Sequence, residues 1–541
     1  MNTKQLKAKV LDLAIHGKLL SPETVAELKK SPDYETADVL LEKIRKEKEE
    51  KIAKGELKRD KKDSYIFVGD DKRHYEKFAD GTVKDIEDEI PFDVPEGWAW
   101  CRLGEIAFVT AGKTPSKDAF VNEGIPYIKM YNLRNQRIDF DFQPQYIKRE
   151  IHEKVLKKSQ TEIGDLIMNI VGPPLGKLAF IPESLPEANF NQAAVLIRPY
   201  RFKSEINKYL FYFLSEMSEI NSIATKGSAG QVNISLTQSQ CMKIPLPPLA
   251  EQERIVSAIE NIFAQIDTLE QNKFDLQVTI KQAKSKILDL AIHGKLVPQD
   301  PNDEPADVLL EKLRAEKEAK IKAGELKRDK NDSYIYKSST DNCHYEKFKG
   351  KDAVCIEDEI PFEIPESWQW SKLGQICTKL VDGDHNPPKG IEEKTNYIMA
   401  SSRNINHDTV EDLENVRYLT KEVFETENQR TKAKKGDIFF TSVGTLGRSC
   451  IYDGNLNICF QRSVSVLNTQ IENKYLKYFF DSSFYQNYVV EHATGTAQQG
   501  FYLQEMSESY VAVPPISEQQ RIVSKIEELF TVLDQIQNNL I

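Results

Sequence analysis

At 541 residues the chain exceeds what one hydrophobic core normally holds, so two or more domains are expected. Its formal net charge of -11 excludes naming a polyanion partner from average charge; nucleic-acid binding would have to rest on local patches or on a partner subunit. Seven cysteines without a Cys-x-x-Cys pair, and no apolar run of about 18 residues, point to reduced thiols, no membrane span and a soluble cytoplasmic protein.

Residues 1–97 read as a first helix followed by a charged helical linker. The helix carries Leu6, Val10 and Leu13 on one side and stops near Gly17. Residues 37–66 (ADVLLEKIRKEKEEKIAKGELKRDKKDSYI) return almost unchanged as 306–335, and their Glu and Lys spacing suits a solvated helix with i,i+4 pairs, ended at Gly55 and Gly324. His74 to Phe78 repeats as His344 to Phe348. Ile86 to Ile106 (IEDEIPFDVPEGWAWCRLGEI) repeats as Ile356 to Ile376, each with a Trp-x-Trp pair, Trp98 with Trp100 and Trp368 with Trp370.

Those pairs open two variable domains, 98–245 and 368–511, whose framework persists while the rest diverges. Tyr127-Ile128 matches Tyr397-Ile398, and Gly164-Asp165 matches Gly436-Asp437. Each Gly-Asp turn leads into an apolar run of strand character, Ile167 to Val171 and Phe439 to Val443. Aromatic-rich helical pieces follow around Tyr209 to Phe213 and Tyr475 to Phe480, so both domains read as mixed α and β. The first holds 18 basic and 14 acidic residues and the second 15 and 18, so neither is basic enough to betray nucleic acid by charge.

Between them, 246–297 carries a heptad seam: Ile255, Ile259, Ile262, Ile266, Leu269, Leu276, Ile280, Ala283, Ile287 and Leu290, broken only at Lys273. Without Gly or Pro, Glu251 to His293 can form one helix of roughly 64 Å, which needs a partner to cover its seam. Residues 298–367 repeat the charged linker. In 512–541, Pro514, Pro515, Glu518, Gln519, Arg521, Ile522 and Val523 repeat Pro247, Pro248, Glu251, Gln252, Arg254, Ile255 and Val256, and the seam runs on through Ile526, Leu529, Leu533, Ile536 and Leu540. Leu11 to Leu19 (LDLAIHGKL) is identical to Leu288 to Leu296. The ends therefore copy the centre, and antiparallel packing of centre against ends would hold the domains apart and turn one roughly 180° from the other. His16 and His293 take equivalent places at helix ends, where packing or capping is expected.

This doubled order resembles the specificity subunit of a type I restriction-modification system. The residues that carry it are Pro247 to Val256 with the echo at Pro514 to Val523, Leu288 to Leu296 with the echo at Leu11, and the Ala-Gly-Glu-Leu-Lys-Arg-Asp of Ala323 to Asp329. The resemblance implies an α+β chain with two α/β target recognition domains, separated by long antiparallel coiled-coil helices in a pseudo-twofold repeat. It further implies that each domain reads half of an asymmetric double-stranded DNA site, and that two modification (methyltransferase) subunits and the restriction subunits dock on the chain. No cofactor is expected in this subunit; S-adenosylmethionine, ATP and Mg belong to the partners.

Catalytic readings fail on the residues. Asn386-Pro387-Pro388-Lys389 is close to the Asn-Pro-Pro-aromatic motif of adenine methyltransferases, but Lys389 replaces the ring that stacks on a flipped base. Gly172-Pro173-Pro174-Leu175-Gly176-Lys177-Leu178 is one residue short of a phosphate loop and ends in Leu178, so it reads as a turn. Pro32-Asp33 with Glu49-x-Lys51 is a chance match to a nuclease signature. A stand-alone methyltransferase and a coiled-coil protein scaffold are the rival functions, separable by methyl-donor binding and by a gel shift.

Base edges are read best by Arg, Lys, Asn and Gln, whose forked donors and acceptors match guanine and adenine. Loops rich in them lie between the framework strands. In the first domain these are Lys113, Thr114 and Ser116; Asn132, Arg134, Asn135, Gln136 and Arg137; Asn191 and Gln192; and Lys226, Ser228, Gln231 and Asn233. In the second they are His385, Asn386 and Lys389; Ser401, Ser402, Arg403 and Asn404; Gln461 and Arg462; and Thr494, Thr496, Gln498 and Gln499. Lys and Ser are expected mostly at phosphates.

Overall fold

Leu249 to Ile292 form one unbroken helix of 44 residues, as a stretch free of Gly and Pro allows. In the computed structural model, which describes residues 2–60, 63–172, 174–226, 232–324, 332–495 and 499–540, this helix runs through the division between two compact units, Met1–Asn272 and Lys273–Ile541. Of the Ala323 to Asp329 motif, only Ala323 and Gly324 fall within the described residues.

In the first unit the N-terminal helix, Thr3–Ile15, starts on a capping box between Asn2 and Gln5 and runs antiparallel to the central helix. Thr3 Oγ1 donates to Glu270 and Lys7 pairs with Asp267, while Val10, Leu11 and Ala14 pack with Ile255 and Ile259. In the second unit the C-terminal helix, Ile516–Asn539, repeats the arrangement. Lys284 reaches Asp534 at 2.5 Å, and Leu288, Ala291 and Ile292 join Ile522, Val523 and Ile526 in one core. Each fully buried Ile contributes on the order of 1.5–3 kcal/mol. The seam is not buried throughout: Leu269 is 64% exposed and Leu276 38%, so the middle of the helix lacks the apolar cover expected for it.

The first Trp of each Trp-x-Trp pair fastens a variable domain to a helix head. Trp98 Nε1 donates to Glu251 at 2.7 Å, and Glu251 also accepts from Tyr34; Trp368 Nε1 donates to Glu518 at 3.0 Å, and Glu518 also accepts from Gln299. Gln252 and Gln519 each donate back to Pro247 and Pro514 at 2.8 Å, locking the turn into the helix. His16 and His293 pack as expected, on Phe92 and Phe362 at 4.2 and 4.0 Å between ring centres.

The charged helices, Ala37–Ala53 and Ala306–Lys322, are less solvated than their composition suggests. Leu40, Leu41 and Ile44 are buried, and the cations pair across the fold, Arg45 with Glu105 and Lys48 with Asp63 at 2.8 Å, because the apolar positions recur on one face. Beyond each lies a three-stranded antiparallel sheet, 64–68, 74–78 and 83–85, then 333–337, 344–348 and 354–355.

Within each variable domain the opening and closing strands pair, Ala99–Arg102 with Lys243–Leu246 and Gln369–Lys372 with Tyr510–Val513. A four-stranded antiparallel sheet follows, in the order 178–180, 166–169, 194–199, 107–111, and its counterpart is 449–451, 438–441, 464–469, 377–382. The run after each Gly-Asp turn, Leu166–Asn169 or Ile438–Thr441, is an inner strand buried on both faces. A smaller mixed sheet contains one parallel pair in each domain, Ile125–Ile128 with Asn189–Phe190 and Tyr397–Ala400 with Asn457–Phe460.

Candidate nucleic-acid interface

Parallel neighbours send both of their carboxyl-end loops off the same edge of a sheet. In the first unit those are the loops after Ile128 and Phe190, and the loop after strand Ala107–Ala111 joins them. The joint is Gly112: a Cβ there would lie 2.2 Å from the Asn191 carbonyl oxygen and 2.4 Å from that of Phe190, so only glycine fits. Gly112 N donates to Ala194 O at 3.1 Å and Lys113 N to Phe190 O at 3.2 Å. Gly383 repeats this, with 2.3 Å to the oxygens of Phe460 and Gln461, and bonds from Gly383 N to Val464 O at 3.0 Å and from Asp384 N to Phe460 O at 2.8 Å.

Each middle loop is shaped by one buried Asn. Asn132 Oδ1 accepts from Lys129 N at 2.8 Å, and its amide donates to Asp139 O and Phe142 O; Asn404 accepts from Ser401 N at 3.0 Å and donates to Glu411 O and Asp412 O. Both are 1% exposed, so the expectation that they face a duplex is corrected: their polar groups are spent within the loop. Ser402 is also buried, with its N–H on Ser463 Oγ at 3.0 Å.

Most other candidates of the first unit are exposed at the edge. Leu133–Arg134 and Arg137–Ile138 form a hairpin whose two turn residues, Asn135 and Gln136, have φ of +48° and +57°, a type I′ turn. Arg134 and Arg137 therefore face each other across the ladder, a like-charge pairing that costs stability unless an anion offsets it. Arg134 lies over the Phe142 ring at 4.3 Å and 3.9 Å from Asp139. Lys113, Thr114, Ser116 and Gln192 are exposed, and Asn191 is half-buried with its Oδ1 unpartnered. The Tyr127 hydroxyl, pushed up by burial, donates to Lys113 O at 3.0 Å and steadies the first loop. Lys226 and Asn233 lie on paired short strands; Ser228 and Gln231 fall outside the described residues.

In the second unit the same loops enclose an open cleft of about 460 Å³ lined by His385, Ser401, Ser402, Arg403, Asn404, Gln461 and Arg462, so that seven sequence-predicted residues converge. Arg403 and Arg462 are exposed there. By contrast Lys379 and Lys477, in the framework, are taken up by Asp437 and Asp481. His385 Nε2 lies 2.7 Å from Asp382, whose carboxyl burial would raise but Arg430 and His385 together hold below the ordinary range. Asn386 and Lys389 are exposed beside it, on a turn braced by Arg417, whose guanidinium donates to Pro387 O and Pro388 O at 3.3 and 2.8 Å. Sequence reasoning missed Arg417, which lines the cleft and sits in an ordinary strand with no composition signal. Thr494 and Gln499 are exposed; Thr496 and Gln498 fall outside the described residues.

A family model described as the type I restriction modification DNA specificity domain matches residues 95–277 and again 365–541. The specificity subunit of the type I restriction enzyme EcoEI of Escherichia coli is 25% identical over 597 residues, covering 99% of this chain and 90% of that protein. The EcoAI specificity subunit of the same species is 26% identical over 595 residues, covering 98% and 90%. The crystal structure of an HsdS subunit from Thermoanaerobacter tengcongensis aligns with a TM-score of 0.49 at 17% identity, over 83% of this chain and 95% of that one.

Proposed function

Because the chain belongs to the type I restriction-modification specificity family, it is a non-catalytic DNA-recognition subunit, and we propose that each unit reads one half of a bipartite, asymmetric duplex site. The observation that carries this is the gathering of exposed arginines on one loop edge of each unit, Arg134 with Arg137 and Arg403 with Arg462. Guanidinium forks match the O6 and N7 acceptors of guanine. The exposed lysines beside them, Lys113 and Lys389, suit phosphates and would set the register of the duplex. The two edges carry different side chains, which accords with unlike half-sites.

Two modification subunits and the restriction subunits complete the proposed assembly, and methyl transfer and cleavage belong to them. In the second unit Phe274 on the central helix is 59% exposed and Val532 on the C-terminal helix 50%, apolar area of the kind a partner covers.

The test is methylation of duplex variants by the chain assembled with a modification subunit. Arg403→Ala should lose about 1–3 kcal/mol of discrimination at one base pair of one half-site and none in the other half. Unchanged preference at every position would remove Arg403 from the reading face.

A further inference from the structure

The turn that the sequence shows as an imperfect phosphate loop includes Pro173, which lies outside the described residues; the three bonds that close it recur in the second unit. In the first, Asn169 ends the inner strand and is 2% exposed; its N–H donates to Lys177 O at 3.0 Å, its carbonyl accepts from Gly176 N at 3.3 Å, and its side-chain oxygen accepts from Lys177 N at 2.5 Å. In the second, Thr441 is fully buried and does the same: its N–H donates to Arg448 O at 2.9 Å, its carbonyl accepts from Gly447 N at 3.0 Å, and its hydroxyl oxygen accepts from Arg448 N at 2.9 Å. Gly176 and Gly447 hold φ of +71° and +80°, and a Cβ on either would meet Met217 or Gln486 at 2.5 Å. One fixed turn thus presents one basic residue, Lys177 or Arg448, at the same point of both folds. Among the described residues, neither cation has a carboxylate partner.

Both turns border the reading edge. Ile170 N bonds to Ala193 O at 2.8 Å and Ser442 N to Ser463 O at 2.9 Å, next to Asn191-Gln192 and Gln461-Arg462, and Val443 lines the cleft with Arg403. Flanking loops differ between the units, as readers of different bases must; this one keeps its bonding and its charge. What two different half-sites share is the sugar-phosphate backbone.

Resting on the reading of these edges as DNA-binding, we infer that the Gly176-Lys177 and Gly447-Arg448 turns are phosphate clamps, one per unit, that seat each domain on the duplex without reading sequence. The experiment uses the chain assembled with its modification subunit, a duplex bearing the cognate site and a scrambled duplex of equal length, each titrated over a range of salt. Lys177→Gln and Arg448→Gln should each weaken binding to both duplexes by the same factor, on the order of three- to tenfold, and flatten the plot of log affinity against log salt by about one. Lys177→Arg and Arg448→Lys should restore both, and the methylated sequence should not change. An unchanged salt slope, whether or not affinity falls, makes these residues packing elements and overturns the inference, as does a slope that falls even when charge is kept. A shift in base preference makes them readers and overturns it too. If those variants match wild type while Arg403→Ala still loses discrimination, only the clamp is wrong; if wild type does not distinguish the two duplexes, the reading of the edges as DNA-binding fails.

Discussion

Gly383→Ala isolates the joint on which the proposed reading edge of the second unit is built. The added methyl would start 2.3 Å from the carbonyl oxygens of both Phe460 and Gln461, well inside the 3.0 Å that real Cβ atoms keep, and both obstacles are backbone. The strand end must therefore retreat by about 0.7 Å or more, stretching the bonds from Asp384 N to Phe460 O and from Arg462 N to Asp384 O, now 2.8 Å each. Overpacking of this kind costs about 1–3 kcal/mol, and a unit of this size loses about 2–4 °C of thermal midpoint per kcal/mol. Gln461 and Arg462 ride on the displaced segment, so discrimination in one half-site should fall while the other half is read as before. Calorimetry of the chain and methylation of duplexes varied base by base would measure both effects. A variant that melts with wild type and keeps full discrimination in both halves would show that the loops can move freely and that Gly383 is not what sets them. Gly112→Ala, with 2.2 Å to Asn191 O, should give the mirrored result in the other half-site.

Asn404→Ala removes a side chain that is buried inside the loop, leaving Ser401 N without its 3.0 Å acceptor and Glu411 O without its donor, while Asp412 O keeps its bond from Asn415 N. It should cost about 1–3 kcal/mol in denaturant unfolding of the second unit, and a loss below a few tenths would show that the loop does not depend on this staple. Glu518 offers a pH test. Burial pushes its carboxyl above the ordinary glutamate range, against the Trp368 and Gln299 donors that hold it down. A carboxyl raised in the folded state lends stability below its unfolded value and loses that stability as pH rises through the folded one. Glu518→Gln has no proton to lose, so its thermal midpoint should change less than that of wild type between about pH 4.5 and pH 7; equal changes in the two proteins would mean the carboxyl is not raised.

The long helices were legible because they repeat nearly verbatim and contain no helix breaker. Their mates were legible too: Leu11 to Leu19 duplicates Leu288 to Leu296, and each copy packs where a pseudo-equivalent helix requires it. The linker sheets were not, because SYIFV at Ser64 to Val68 follows a run of Lys and Glu whose charge dominates any window. The same charge hid the buried stripe of Leu40, Leu41 and Ile44; of the i,i+4 pairs it suggested, Lys51 with Glu47 forms at 4.0 Å, while Arg45 and Lys48 take Glu105 and Asp63, which lie elsewhere in the sequence. Trp98 and Trp368 were conspicuous, but their acceptors lie some 150 positions downstream, a separation that no local pattern reports.

At the proposed reading edge, composition picked out loops that the fold brings together but could not tell scaffold from reader, since an Asn can staple a loop as readily as it can read adenine. The duplication supplies the missing criterion. Parallel strands place Ile128 and Ala400 in equivalent positions, each accepting from the segment that follows its neighbour, Asn191 N in one unit and Gln461 N in the other, which corrects the match of Tyr127-Ile128 with Tyr397-Ile398 by two residues. From that register Asn132 matches Asn404, and both staple; Arg403 matches Tyr131, and Arg134 matches Asn406. Two domains that read different bases must differ in their readers and agree in what shapes or seats them. By that rule Arg134 and Arg403, which have no arginine counterpart in the other copy, are the residues proposed to discriminate, whereas the paired Asn staples hold the loops and the paired basic turns are proposed to seat the duplex.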